Sequence, residues 1–329
     1  MMRNYSASKS IRMCTCVLVK MGQALGGTTV TQWFSSQWFS WQVDLLQMVQ
    51  SIHSPFFDFV AIAASFVGNY HFYIWLIALC LWLFGDEIGT SVAILAMVTM
   101  VFTDLGKALS AVQRPIGISQ VRSQYIRSAA GSSFPSGHAL VSMAVYGYLS
   151  DLYGHLSGLS GKKIAWIARW LWLLPITIGL SRLYLGVHWP TDVVAGWTFG
   201  WLLAKLFDGP RMNRIAHRVS VERDVWMAIV LLVISLIPLV PDTVEVIRFV
   251  AIMKIATAIV GPVLFSRSVG ILLSRVTVGL IGIAVVEYIH QVGVLPITNQ
   301  VLPTILAVWV VVVGRIFSTH HKIIRERDI

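Results

Sequence analysis

Three short stretches of this chain place side chains that could act on a phosphate ester. Lys107 is followed, after six intervening residues, by Arg114-Pro115; Pro135-Ser136-Gly137-His138 comes next; Ser181-Arg182 then leads to His188 and Asp192. A lysine ammonium offers a point charge and a guanidinium a planar donor fork, and both suit phosphate oxygens. Pro115 stops its segment and helps aim Arg114. Backbone N–H groups at a helix amino terminus carry partial positive charge, so an anion could settle against Ser136 and Gly137, where the glycine permits close approach. His138 would then lie beside that anion. A histidine whose far nitrogen donates to a carboxylate has its tautomer fixed and its near nitrogen free as a nucleophile or base. Asp192 is the natural orienting partner for His188. Phosphoryl transfer needs mostly positioning and charge stabilisation, which this set of groups can supply.

Taken singly, each group has a plainer reading. A lone basic residue at the end of an apolar span can snorkel to the interface. Pro135-Ser136-Gly137-His138 could be a helix start with a buried histidine. His188 and Asp192 are both metal ligands, but three nearby cations would repel a divalent ion, so no metal and no cofactor is expected. The glycine pattern of a nucleotide phosphate loop is absent.

The elements that must position these groups are apolar helices. Of 329 residues 56% are hydrophobic and 12% charged, whereas a soluble globular chain carries roughly 25% charge. The composition therefore describes an integral membrane protein. The net charge of +10 is spread between apolar runs instead of along one polar face, which excludes nucleic acid as the expected partner. Cys14, Cys16 and Cys80 form neither a disulfide framework nor a zinc pattern. Residues 31–66, rich in Trp, Phe and Gln and broken by Pro55, suggest a segment lying on the bilayer surface. Spans are expected at Tyr70–Phe84, Ile88–Asp104, His138–Leu152, Ile164–Leu185 and Thr191–Phe207, then near Val225–Val240, Val246–Phe265, Val269–His290 and Val301–Phe317. The long polar stretch Gly106–Gly137 between them suggests a functional loop.

The positive-inside rule puts the basic loop Lys205–Asp224 in the cytoplasm, together with the Gly154–Lys163 loop, the Arg267–Arg275 turn and the basic tail. The motif-bearing loops then face the other side. Lys107, Arg114, Arg122, Arg127 and Arg182 form a basic group where basic residues are disfavoured, and such an exception calls for a ligand. Lys254 and Glu287, inside consecutive spans at comparable depth, are expected to pair, because buried charges in a bilayer usually do.

The order and spacing of the three stretches match, without departure, the signature of the type 2 phosphatidic acid phosphatase superfamily, and the chain resembles that family over about Phe56 to Phe207. Phe56-Phe57-Asp58, Gly68-Asn69 and Phe72-Tyr73 look more like its sphingosine-1-phosphate phosphatase and glucose-6-phosphatase branch than like the other lipid phosphate phosphatases. The resemblance implies that His188, oriented by Asp192, attacks phosphorus and forms a phosphohistidine. It also implies that His138 protonates the leaving group and later activates water, and that Lys107, Arg114, Arg182 and the backbone around Ser136 and Gly137 hold the phosphate oxygens.

The expected protein is thus an all-α, polytopic membrane bundle with a six-helix phosphatase-type core and about four extra C-terminal transmembrane helices. Its expected divisions are 1–55 (N-terminal and interfacial), 56–207 (catalytic membrane core), 208–224 (basic cytoplasmic loop), 225–317 (C-terminal transmembrane helices) and 318–329 (basic cytoplasmic tail). The expected activity is metal-independent hydrolysis of a lipid phosphomonoester or pyrophosphate at the non-cytoplasmic face of a bacterial inner membrane or an endoplasmic reticulum. Phosphotransfer to a lipid or sugar acceptor, hydrolysis of a sugar phosphate, and a catalytically silent lipid-binding or transport role are the alternatives. The three alternatives predict, in turn, label transferred to an acceptor, release from a water-soluble ester, and no phosphate release at all.

Overall fold

A computed structural model describes residues 36–118, 120–129, 131–160, 170–207, 221–235, 241–266, 268–292 and 301–327. All regular structure among them is helical. The helices are α1 (Ser36–Gln50), α2 (Pro55–Val67), α3 (Tyr70–Phe84), α4 (Asp86–Ser110), α5 (Gly137–Ser160), α6 (Leu173–Tyr184), α7 (Pro190–Phe207), α8 (Val221–Ile234), α9 (Pro241–Val260), α10 (Val269–Val292) and α11 (Leu302–Arg327), with a short 3-10 turn at Ile126–Ser128. Helices α4 and α10, of 25 and 24 residues, are long and apolar enough to cross a membrane, and α2 with α3 would add a third if they form one broken span. At about 1.5 Å per residue such helices reach about 36 Å, against a hydrocarbon core of about 30 Å. The chain is an integral membrane protein.

The amino-terminal region read as one interfacial stretch resolves into two helices. The Ser54 hydroxyl accepts from the Phe57 N–H at 3.3 Å, and Pro55 occupies the first turn of α2. Both are start signals: the cap satisfies an otherwise orphaned donor, and proline has no N–H to lose there.

The described residues fall into two compact units. The first contains residues 1–69 and 99–203 and carries all three motifs. Within it α6 packs against α5, α2 and α1. Gly196 and Gly200, four residues apart on α7, let that helix lie directly on the backbone of α5. A Cβ on Gly196 would stand 2.7 Å from the Ser136 carbonyl oxygen, and one on Gly200 2.3 Å from that of Leu140. Small residues at this spacing are how membrane helices approach closely. The consequence is that the first turns of α5 and α7, which hold His138 and Asp192, come side by side.

The second unit contains residues 70–98 and 204–329. Here α9 packs against α8 and α11, and α10 against α11 and α3. Residues 70–98, which the sequence reading grouped with the catalytic core, pack with the C-terminal helices instead. Lys254 is 2% exposed and pairs with Asp86 at 3.6 Å, while Glu287 accepts from the Trp75 indole at 3.0 Å. The expected Lys254–Glu287 pair is therefore not formed: comparable depth along two helices says nothing about the rotation of each about its own axis. Arg275, expected in a cytoplasmic turn, lies inside α10 at 1% exposure and donates to the carbonyls of Trp82 (3.2 Å) and Leu264 (2.9 Å). Likewise the helix expected to end at Leu152 continues to Ser160, through residues read as the start of a loop. The turn around Pro296, most of the basic 208–224 loop, and Cys14 and Cys16 lie outside the described residues.

Candidate active site

His188 sits in the five-residue turn between α6 and α7, with Arg182 on the last turn of α6 and Asp192 on the first turn of α7. The turn is made possible by Gly186, whose φ of +63° is the left-handed region that glycine enters without a Cβ penalty. Two apolar clusters hold it: Leu46, Val121, Ala139, Leu183, Trp189 and Val193 on one hand, and Ala61, Tyr184, Leu185 and Val187 on the other. The start of α7 is fixed from α1, where the Gln42 side-chain oxygen accepts from the Thr191 N–H at 3.3 Å and hydroxyl at 2.9 Å.

The hydrogen bonds around His188 assign its tautomer. Arg114 can only donate, and its Nη1 lies 2.9 Å from His188 Nε2, so Nε2 bears the lone pair. Nδ1 then bears the proton and faces Asp192 Oδ2 at 3.4 Å. That oxygen is fixed more tightly by two other donors, the Ser133 hydroxyl at 2.5 Å and the Trp189 N–H at 2.8 Å. Ser133 Oγ is also 3.5 Å from His188 Nδ1. The orienting group is thus a carboxylate together with a serine. Burial holds the His188 imidazole well below the ordinary 6.5, and the positive charges of Arg114, Arg182, Lys107 and His138 push it the same way. The ring is neutral at physiological pH.

Arg114 itself is anchored by backbone carbonyls, with Nε on Gly131 (3.0 Å), Nη1 on Val187 (2.8 Å) and Nη2 on Ser132 (3.2 Å). Burial lowers its pKa to about 10, against which the charge of Asp192 acts; it stays a cation at neutral pH. The Trp189 indole donates to the Gln113 carbonyl at 2.8 Å, tying the loop that carries Arg114 to the turn that carries His188.

Arg182 is fully buried. Its Nη1 donates to Ser65 Oγ on α2, and its Nη2 to the carbonyl (3.4 Å) and hydroxyl (3.0 Å) of Ser128. Gly137 opens α5, and a Cβ there would meet Thr103 Cγ2 at 3.0 Å. At this site three buried side-chain atoms among the described residues make no hydrogen bond: Ser136 Oγ, His138 Nε2 and Arg182 Nε. Leaving such atoms unsatisfied costs about 1–3 kcal/mol each, and an anion with several acceptor oxygens would satisfy the hydroxyl and the guanidinium together. The predicted residues are therefore brought into one electrostatic neighbourhood: the charges of Lys107, Arg114, Arg182 and His138 are all felt at His188. Sequence reasoning missed Ser133, Ser65 and Ser128. Ser133 lies just ahead of the second motif, and its proximity to that motif is the one signal that could have pointed to it.

Residues 84–208 match the PAP2 superfamily, so the chain carries a PAP2 superfamily domain, which ends where the sequence reading placed the end of the core and starts later than Phe56. Among its relatives are an undecaprenyl-diphosphatase of Sulfolobus acidocaldarius, 29% identical over 118 residues (35% of this chain, 50% of that one), and phosphatidylglycerophosphatase B of Bacillus subtilis, 42% identical over 79 residues (23% and 38%). The chain thus spans half or less of the length of these two relatives. Among solved structures, a transmembrane PAP2-type phosphatidylglycerolphosphate phosphatase from Bacillus subtilis aligns with a TM-score of 0.47 and 20% identity, over 63% of this chain and 98% of that one.

Proposed function

We propose that this protein is a metal-independent membrane phosphatase that hydrolyses a lipid phosphomonoester or pyrophosphate through a phosphohistidine on His188. The observation that carries the reading is the His188 ring, with Nδ1 toward Asp192 and Ser133 and the Nε2 lone pair toward the guanidinium of Arg114. Arg114, Arg182, Lys107 and the Ser136–Gly137 backbone hold the phosphate oxygens. Nε2 attacks phosphorus, the bond from phosphorus to the leaving oxygen breaks, and His138, entering the step as an imidazolium stabilised by the charge of the bound phosphate, gives that oxygen a proton. The positive charge that forms on the ring of His188 is offset by Asp192. His138 then takes a proton from water, whose oxygen attacks phosphorus; the P–N bond breaks, releasing inorganic phosphate and restoring neutral His188. Names of the relatives, which speak of undecaprenyl diphosphate and phosphatidylglycerophosphate, support a lipid substrate. The apolar helices that carry the site support it too, since Arg182 and Asp192 stand at helix ends, where a lipid headgroup would meet them. The charge pattern of the loops favours the non-cytoplasmic face.

The test is release of inorganic phosphate by the purified protein from a panel of lipid phosphates and pyrophosphates, with chelator present, alongside His188→Ala. Turnover is expected with chelator, acid-labile phosphate should be trapped on the wild type, and the variant should be inert. Full activity of His188→Ala, or dependence on an added metal ion, would overturn the mechanism.

A further inference from the structure

Residues 36–67 precede the part of the chain that matches the family, yet Gln50, Asp58 and Ser65, like Gln42, hold parts of the site. Gln50, at the end of α1 and 8% exposed, grips the backbone of Arg122 from both sides: its oxygen accepts from the Arg122 N–H at 3.0 Å, and its nitrogen donates to the Arg122 carbonyl at 2.8 Å. The same nitrogen donates to the Tyr184 carbonyl at 2.9 Å, so one amide joins the loop to the turn. Asp58 on α2 meets the Arg122 guanidinium with both oxygens, at 3.0 and 2.5 Å, and accepts from the Tyr184 hydroxyl at 2.7 Å. Ser65 on α2 receives Arg182. Beyond Arg122 the contact with the turn is made by backbone and by one serine hydroxyl. A Cβ on Gly186 would lie 2.3 Å from the Arg122 carbonyl oxygen, the Gln124 N–H donates to the Leu185 carbonyl at 2.9 Å, and Ser123 Oγ donates to the Gly186 carbonyl at 3.1 Å. His188 follows two residues later.

We propose that Gln50 and Asp58 are positioning residues that set His188 and Arg182 through Arg122 and Tyr184, making the α1–α2 pair a brace of the catalytic turn. The brace rests on the proposed function for its effect on rate, but not for its existence. A solvent-exposed ion pair adds little to stability, so Asp58 and Arg122 are not there chiefly to hold the fold. Their bidentate geometry fixes direction, and catalytic groups tolerate little displacement: a misplacement of about 1 Å can cost about a hundredfold in rate.

Gln50→Ala and Asp58→Asn are each expected to lower kcat by about ten- to a hundredfold with KM changed by less than about twofold. Arg122→Asp should do the same, and the exchanged pair Asp58→Arg with Arg122→Asp should recover part of the loss. Gln50→Met, which keeps the volume without adding a charge and loses every hydrogen bond, should behave as Gln50→Ala does, and it decides the matter if the alanine variant does not fold. In parallel, amide hydrogen exchange of the peptide covering residues 183–189 should quicken in Gln50→Ala. Wild-type kcat in both Gln50→Ala and Asp58→Asn, or unchanged exchange in the turn, overturns the brace. A wild-type protein that releases no phosphate from any lipid overturns the proposed function alone, because the exchange measurement needs no turnover.

Discussion

Removing the Ser133 hydroxyl should slow the enzyme without unfolding it. Ser133 and Asp192 are both almost fully buried, and their 2.5 Å contact is shorter than the 3.4 Å between Asp192 and His188. The hydroxyl therefore does more than the imidazole to fix the carboxylate oxygen, with the Trp189 N–H at 2.8 Å as the remaining donor. A hydrogen bond to a charged group contributes about 1.5–3 kcal/mol, and each 1.36 kcal/mol of lost transition-state stabilisation is about tenfold in rate. Ser133→Ala should accordingly lower kcat by about ten- to a hundredfold. Because the hydroxyl acts through Asp192, the effect should vanish in an Asp192→Ala background, which a double-mutant cycle reads directly. The assay is phosphate release in detergent micelles at saturating lipid, with thermal melting run alongside to show that the fold is kept. Wild-type kcat in Ser133→Ala, or losses that simply add in the double variant, would refute the reasoning.

The depressed pKa of His188 sets the acid limit of activity: the attacking form is neutral, so the acid limb of kcat/KM, corrected for ionisation of the substrate, should appear only as pH drops through that lowered value, well below 6.5. A descending limb already centred at 6.5 or above would contradict the burial of the ring. Replacing Asp86 with Ala removes the carboxylate 3.6 Å from the buried Lys254 ammonium and leaves the Thr90 hydroxyl at 3.5 Å; breaking a buried ion pair costs about 3–5 kcal/mol. The melting temperature in detergent should fall sharply, and adding Lys254→Met should restore most of it. Gly200→Leu places a side chain where even a Cβ stands 2.3 Å from the Leu140 carbonyl oxygen. It should destabilise by about 1–3 kcal/mol and reduce activity by parting the first turns of α5 and α7; a stable, fully active variant would show that the glycine contact does not set the site.

The residues that do the proposed chemistry were legible because each belongs to a motif whose spacing repeats a chemical need: donors before a proline, an anion-binding helix start, a histidine and a carboxylate four apart. Helix α3 was read at its observed bounds, since an apolar run ending at Gly85 leaves little choice. The supporting groups were not legible. Gln50, Ser65 and Ser128 are single polar residues in segments with no pattern of their own, and their partners lie far along the chain. The partner of Lys254 was misjudged for a related reason. Hydropathy places a residue along the membrane normal, but only packing decides which neighbour its side chain faces, and Asp86 at the head of α4 was the one in reach.

The link between Arg114 Nη1 and His188 Nε2 has a consequence for the resting protein. In the proposed mechanism the electron pair that attacks phosphorus lies against a guanidinium, which holds it in a hydrogen bond. A phosphoryl group uncovers it by offering that guanidinium better acceptors. Selectivity for phosphate thus begins before any bond is made: the substrate itself must bring the charge that unlocks the nucleophile.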